Sequence, residues 1–279
     1  MEALRAGRPL PSRAVALTFD DGYEDNLRLA VPLLEELRLP ATFFLVPGLL
    51  SGDVRAWWEV LGWGFARSTR ATVQWDGRVL PTRGRAGRGS LRWIMEALKG
   101  CDQAARQQQL DTLLHLLEPD GKPNDRSLFL DWDGAQELIR RGFSVGSHSL
   151  RHPILSQESA DEQLRDLVTS RQQLEAELGV PMELLAYPNG TRADYNADTI
   201  HAAQQAGHIH AFGAHAGINL PNTPPYAAPR LVMKPQRGFS HTVARRVIAK
   251  MTPARLLRTP SRSRAPASRR LRAQPQECS

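Results

Sequence analysis

Cysteine is almost missing from this chain: 279 residues contain two, Cys101 and Cys278. Two thiols give no disulfide framework, and they are too few for a closed, thiolate-rich structural zinc site. Long apolar runs are missing as well. No stretch reaches the roughly 18 to 20 apolar residues of a membrane-spanning helix, and the first residues lack the apolar core of a secretory signal. From these absences the expected compartment is cytoplasmic, with at most a peripheral contact at the inner membrane face. No nucleic-acid partner is expected.

Charge is present but unevenly placed. The chain carries a formal +7, yet the segment from Lys234 onward carries 12 Lys/Arg against one Glu, which makes it +11 and leaves the rest at −4. The body, residues 1–234, is therefore mildly acidic, and the high isoelectric point belongs to the tail, 235–279. That tail is rich in Arg, Ser, Pro and Ala, a composition that suits disorder. Within it, Val243, Val247, Ile248 and Met251 form an apolar stripe among Arg245, Arg246 and Lys250. Such a stripe docks on the body or lies on an anionic membrane surface.

The chemistry begins at Thr18-Phe19-Asp20-Asp21-Gly22, where an alternating apolar run from Ala14 to Phe19 ends in two adjacent carboxylates. Side-by-side like charges are costly. A solvated turn relieves the cost, and so does a cation that takes one carboxylate as ligand and leaves the other as a base. Far along the chain, Phe143-Ser144-Val145-Gly146 runs into Ser147-His148-Ser149-Leu150-Arg151-His152-Pro153. Pro153 and the strand-like run before His148 place this His-x-x-x-His in a loop rather than on a helix. Two imidazoles and a carboxylate make a three-ligand set, which leaves an open position of the kind catalytic metal sites keep.

A third element follows in order, the apolar run Leu184-Leu185-Ala186 ending in Tyr187-Pro188-Asn189-Gly190. With these three motifs, residues 14 to 234 resemble the polysaccharide deacetylases, the NodB-homology domain of family 4 carbohydrate esterases. The resemblance implies Asp20 as general base and Asp21, His148 and His152 as ligands of a divalent metal, zinc first, with cobalt or nickel as substitutes. It implies the backbone N–H of Tyr187 as an oxyanion donor. The arginine that many members carry ahead of the third motif is absent here, and Arg230, in Ala228-Pro229-Arg230, is the expected substitute, its alternative being a surface arginine before an edge strand. The family's fourth and fifth motifs are not evident. His215 is the candidate general acid, while His201, His208 and His210 read as surface or packing residues.

Strand and helix alternate from the first motif onward. Helical spacing of Leu27, Ala30, Leu34 and Leu37 follows the first strand, and Ala41 to Val46 is a second strand. Helices near Asp133 to Arg141, Asp161 to Leu178 and Ala197 to Ala206 separate later strands, with Ser159 and Glu162 spaced as a capping box. The pattern predicts an α/β fold with a parallel sheet and all site residues after strands. The resemblance sharpens this to a distorted (β/α)7 barrel. Residues 51–130 interrupt the alternation as an insertion, whose tryptophans, Trp57, Trp58 and Trp63, either pack it onto the barrel or stack on sugar.

Three readings follow. The first is a metal-dependent hydrolase that removes an N-acetyl group from an acetylated amino sugar in a polysaccharide, oligosaccharide or lipid-linked glycan. The second is a catalytically impaired glycan-binding or scaffolding protein on the same fold. The third keeps the enzyme and exchanges the sugar for a small amide or cyclic imide.

Overall fold

The computed structural model describes residues 14–124, 126–220 and 222–233. The expectations for the tail, its disorder, its apolar stripe and its membrane contact, lie outside the described residues. Contact density separates Met233–Ser279 as a unit of its own from Met1–Val232.

Strand β1 (Leu17–Phe19) leads through a π turn, Asn26–Ala30, into helix α1 (Val31–Glu36), and β2 (Ala41–Leu45) follows with the short helix α2 (Pro47–Ser51). After α3 (Trp57–Arg67) come β3 (Thr72–Trp75), β4 (Arg78–Pro81), α4 (Gly84–Leu98) and α5 (Gln103–Leu117). The alternation resumes with α6 (Trp132–Arg140), β5 (Ser144–Ser147), α7 (Ala160–Leu178), β6 (Leu184–Ala186), α8 (Ala197–Gln205) and β7 (His210–Phe212).

Five of these strands form one sheet in the order β1-β2-β5-β6-β7, every neighbouring pair parallel. Parallel neighbours need crossovers, and helices supply them on the outer face. There Phe43, Leu45, Val145, Leu138 and Leu174 pack as one cluster. The inner face is lined by Phe44, Leu184 and Ala186, with Phe212 against them. Burial on both faces explains why β2 reads as a mostly apolar run, broken only by Thr42, rather than an alternation. The barrel is thus a curled half-barrel of five strands, with Ala228 adding one further parallel bridge to Phe212 at the β7 edge. No helix among the described residues is long and apolar enough to cross a membrane.

The insertion has its own core, in which Trp57, Leu61, Phe65, Ile94, Leu113 and Leu117 are buried together. Its β3–β4 hairpin turns on Asp76 and Gly77, both at positive φ, the backbone that a tight two-residue turn demands. The glycine- and arginine-rich stretch beyond it is helical, Gly84–Leu98. Gly87 sits there because a Cβ would come within 2.4 Å of the Thr82 backbone.

Two local expectations need correction. Leu37 does not share the buried face of Leu34, because the helix stops at Glu36 and Arg38 turns to φ 54°, which leaves Leu37 62% exposed. Ser159 caps Glu162 N–H as a capping box requires, but the Glu162 carboxylate accepts from the Ser159 hydroxyl, not from its backbone.

His208 is a packing residue, 1% exposed, and its Nδ1 is 3.0 Å from the Met182 carbonyl. Burial, with Arg171 nearby, pulls its pKa from 6.5 down to about 4. As pH falls through that window, the unfolded chain takes up a proton that the native state refuses. Stability is therefore expected to fall from pH 6.5 to pH 4, by up to about 3 kcal/mol from this residue. His208→Asn should flatten that slope in urea unfolding compared across the window, and an unchanged slope would remove His208 as its source.

Candidate metal and deacetylation site

The sequence places Asp20 and Asp21 after β1, His148 and His152 after β5, and Tyr187 after β6. The parallel topology brings all these strand ends to one rim. The loops there are strained. Among the described residues, seven non-glycine positions have positive φ, and four of them are Asp21, Ser149, His152 and Asn189. Backbone held in the left-handed region at such a concentration marks geometry fixed by surrounding contacts.

Those contacts are traceable. Ser149 Oγ accepts from the His152 N–H at 3.0 Å, and the buried Asp166 carboxylate accepts from the Leu150 N–H at 2.8 Å. Burial pushes the Asp166 carboxyl up to about 7. Gly48 donates its N–H to the Leu150 carbonyl at 3.0 Å, an approach that a Cβ on Gly48 would block at 2.8 Å from the same oxygen. From the insertion, the Trp58 ring lies 4.5 Å from the His152 ring. Trp58 Nε1–H donates to Tyr23 Oη at 2.7 Å, and Tyr23 donates to Glu59 at 2.7 Å. Trp58 therefore does more than fill space: it packs against His152 and is itself fixed by Tyr23. Sequence reading missed this support, and missed Tyr23, Glu59 and Asp166 with it.

At the centre, Asp21 Oδ1 lies 3.2 Å from His152 Nε2 and 3.4 Å from His148 Nε2. Ligand atoms of the three residues all fall within 4.8 Å of one another. His148 Nδ1 is 2.7 Å from the Ala186 carbonyl, an acceptor, so Nδ1 must carry the proton. When His148 is neutral, it turns a bare Nε2 lone pair toward a carboxylate oxygen. That oxygen is itself buried, and apart from the two imidazoles it meets no hydrogen-bond donor among the described residues. Two facing lone pairs repel unless a cation stands between them, so this donor set fits a divalent metal. Burial alone would raise the Asp21 carboxyl, but the two imidazoles beside it bring it well below the usual carboxylate range. Burial lowers His148, yet Asp20 and Asp21 raise it overall; for His152 burial prevails.

Asp20 is held differently. Arg230 clamps it through two parallel bonds, Nη1 to Oδ1 at 2.7 Å and Nη2 to Oδ2 at 2.8 Å. The same guanidinium reaches Thr18 Oγ1 and the Gly213 carbonyl, each at 3.2 Å, and lies 5.2 Å above the Phe44 ring. Thr18 and Asp20 share the inner face of β1 because side chains alternate along a strand. Arg230 thus links the β7 edge to β1 where, among the described residues, no backbone ladder does. It is the arginine that the third motif lacks.

One expected role does not fit as assigned. The Tyr187 N–H is spent on the Phe212 carbonyl at 3.0 Å, since parallel pairing runs one residue past β6, and so it cannot serve an oxyanion. Its hydroxyl donates to the Tyr226 carbonyl. The same turn offers another donor: Asn189 Nδ2 is buried without an acceptor among the described residues. His215 lies beyond β7 with its ring 6.4 Å from that of Tyr195, tucked against Gly213.

The sequence model of the polysaccharide deacetylases matches residues 7–67 and 97–211, more than half of the chain. The chain belongs to the polysaccharide deacetylase family. The gap in that match, 68–96, contains the β3–β4 hairpin and most of α4. A poly-beta-1,6-N-acetyl-D-glucosamine N-deacetylase of Escherichia coli (strain K12) is 48% identical over 42 residues, 15% of this chain and 6% of that relative. The match therefore spans a small fraction of the relative's length. A Streptococcus pyogenes deacetylase solved in complex with acetate is 19% identical, with a TM-score of 0.55 over 90% of this chain and 76% of that one. A deacetylase domain from Bordetella bronchiseptica is 20% identical, with a TM-score of 0.52 over 82% and 75%. At such identities the structural likeness is one of fold, and it agrees with the curled half-barrel of a polysaccharide deacetylase.

Proposed function

We propose that this polysaccharide deacetylase is a metal-dependent hydrolase that removes N-acetyl groups from amino sugars in a glycan chain. The observation that carries the proposal is the pairing of two unlike carboxylates. Asp21 Oδ1 faces the Nε2 atoms of two buried imidazoles, while its neighbour Asp20 is turned away into a bidentate arginine clamp.

Asp21, His148 and His152 would hold the cation. When bound, a divalent ion there supplies Lewis-acid polarisation of an acetamide carbonyl and of water. Asp20 accepts the proton from the water whose oxygen forms the new bond to the carbonyl carbon. The tetrahedral oxyanion needs a hydrogen-bond donor that the ground state does not. With the Tyr187 N–H committed elsewhere, the Asn189 amide at the same turn is assigned that part. The carbon–nitrogen bond then breaks, the amine nitrogen takes a proton, and acetate and free amino sugar leave. His215 is assigned as the donor of that proton.

Elemental analysis of the purified protein, combined with acetate release from a panel of N-acetylglucosamine oligomers, tests the proposal. About one divalent ion per chain, lost in His152→Ala together with acetate release, is the expected result. Metal bound tightly with no acetate released from any member of the panel would favour a glycan-binding protein without turnover. Activity that survives complete removal of metal would overturn the proposal.

A further inference from the structure

Beside the metal-ligand loop lies a cavity of about 400 Å³, within the size range of small-ligand sites, lined by residues of the insertion and by Arg151. Arg151 precedes the ligand His152 directly. Trp57, on the cavity wall, meets Trp58 edge-on at 6.0 Å, and Trp58 in turn packs on His152. The cavity and the candidate metal site therefore share a wall.

Two groups in that wall are buried without the partners burial demands. Arg106 is 3% exposed, and its guanidinium sits 5.5 Å over the Trp57 ring. Nη1 donates to the Cys101 carbonyl at 3.2 Å, but no carboxylate among the described residues is within ion-pairing distance of it. Burial pulls its pKa down, an effect that Glu158, Cys101 and Asp102 offset only in part. Trp57 is 7% exposed, and its Nε1–H is buried with no acceptor among the described residues. The carboxylates on the same wall are already engaged: Asp111 accepts from Gln107 and Asp53 from Ser51. Arg151, next to His152, lines the cavity as well. A buried guanidinium with no carboxylate in ion-pairing contact is costly, and an oxyanion that accepts from guanidinium and indole together would lower the cost.

We infer that this cavity is a subsite for an anionic group, a carboxylate or phosphate, carried on the glycan at a position next to the acetamido sugar being hydrolysed. The inference rests on the glycan-deacetylase reading for its substrate but not for the cavity itself. Specificity would then be set by the insertion rather than by the rim.

Calorimetric titration of the full chain with inorganic phosphate tests the cavity, and deacetylation of two matched acetylated oligomers, one neutral and one bearing a carboxylate or phosphate, tests its use. Phosphate should bind the parent and bind at least about tenfold more weakly to Arg106→Gln. Trp57→Phe, which keeps the ring and removes only the donor, should also weaken binding and serves alone if Arg106→Gln does not fold. The charged oligomer should show the lower KM, an advantage lost in both variants while kcat on the neutral oligomer is retained. No phosphate binding, or equal binding in parent and variants, overturns the site. Phosphate binding without preference for the charged oligomer overturns the glycan assignment and leaves a site for free phosphate. If phosphate binds as expected and neither oligomer releases acetate, the deacetylase reading fails and the cavity stands.

Discussion

Asp20→Asn is expected to retain bound divalent metal and to lose acetate release by about 10²- to 10⁴-fold, the range for removing a general base. The geometry divides the two carboxylates sharply. Asp21 Oδ1 is 3.2 and 3.4 Å from the two imidazole Nε2 atoms, whereas Asp20 comes no nearer than 3.9 Å to His148 and gives both oxygens to Arg230. An amide at position 20 still offers one oxygen to the guanidinium, so the fold of the rim should survive. It offers no basic oxygen to water. Asp21→Asn should behave in the opposite order, losing metal first and activity as a consequence. Metal content by elemental analysis and acetate release, measured on both variants, separate the roles. If Asp20→Asn releases its metal or turns over near the parent rate, the two carboxylates have been assigned the wrong way round.

The parts of this site that were readable in sequence are those fixed by local pattern. A carboxylate pair at the end of an alternating run, and a His-x-x-x-His broken by Pro153, announce strand ends, and parallel crossovers must bring such ends to one rim. Helix ends were equally legible: Asp131 caps α6, Ser159 caps α7, and Gly179 stops α7 at φ 66°. What depends on register was not. Whether the Tyr187 N–H points to a ligand or to Phe212 turns on a single residue of parallel pairing, and period-two patterning carries no register between strands. The insertion hairpin had a signal, Asp76-Gly77 between apolar residues, that went unused. Helix α4 runs against its composition, since glycines at 84, 87 and 89 argue against helix until the close approach of Gly87 to Thr82 is known. Trp58 illustrates the third kind of gap. Its contact with His152 spans the whole insertion, and only the folded chain shows which tryptophan reaches the rim.

Arg230 supplies the other large expected effect. Arg230→Ala should lower kcat on the order of 10²-fold, the scale of misplacing a reacting group by about 1 Å, with KM little changed. The partners are 210 residues apart in sequence, so the clamp is a tertiary device, and it does three things through one planar group. It fixes both oxygens of Asp20, it ties Thr18 of β1 to Gly213 beyond β7, and it covers the Phe44 face inside the curl. Removing it leaves Asp20 able to rotate, so water and carboxylate meet in the productive geometry less often. The stability cost should stay below the roughly 3–5 kcal/mol of breaking a fully buried pair, because the Asp20 side chain is 32% exposed. Arg230→Lys discriminates positioning from charge alone. An ammonium restores the charge and one contact but cannot make the parallel pair, so it should recover only part of kcat. Full recovery by lysine would reduce the clamp to simple electrostatics, and full activity in Arg230→Ala would show that Asp20 needs no clamp at all.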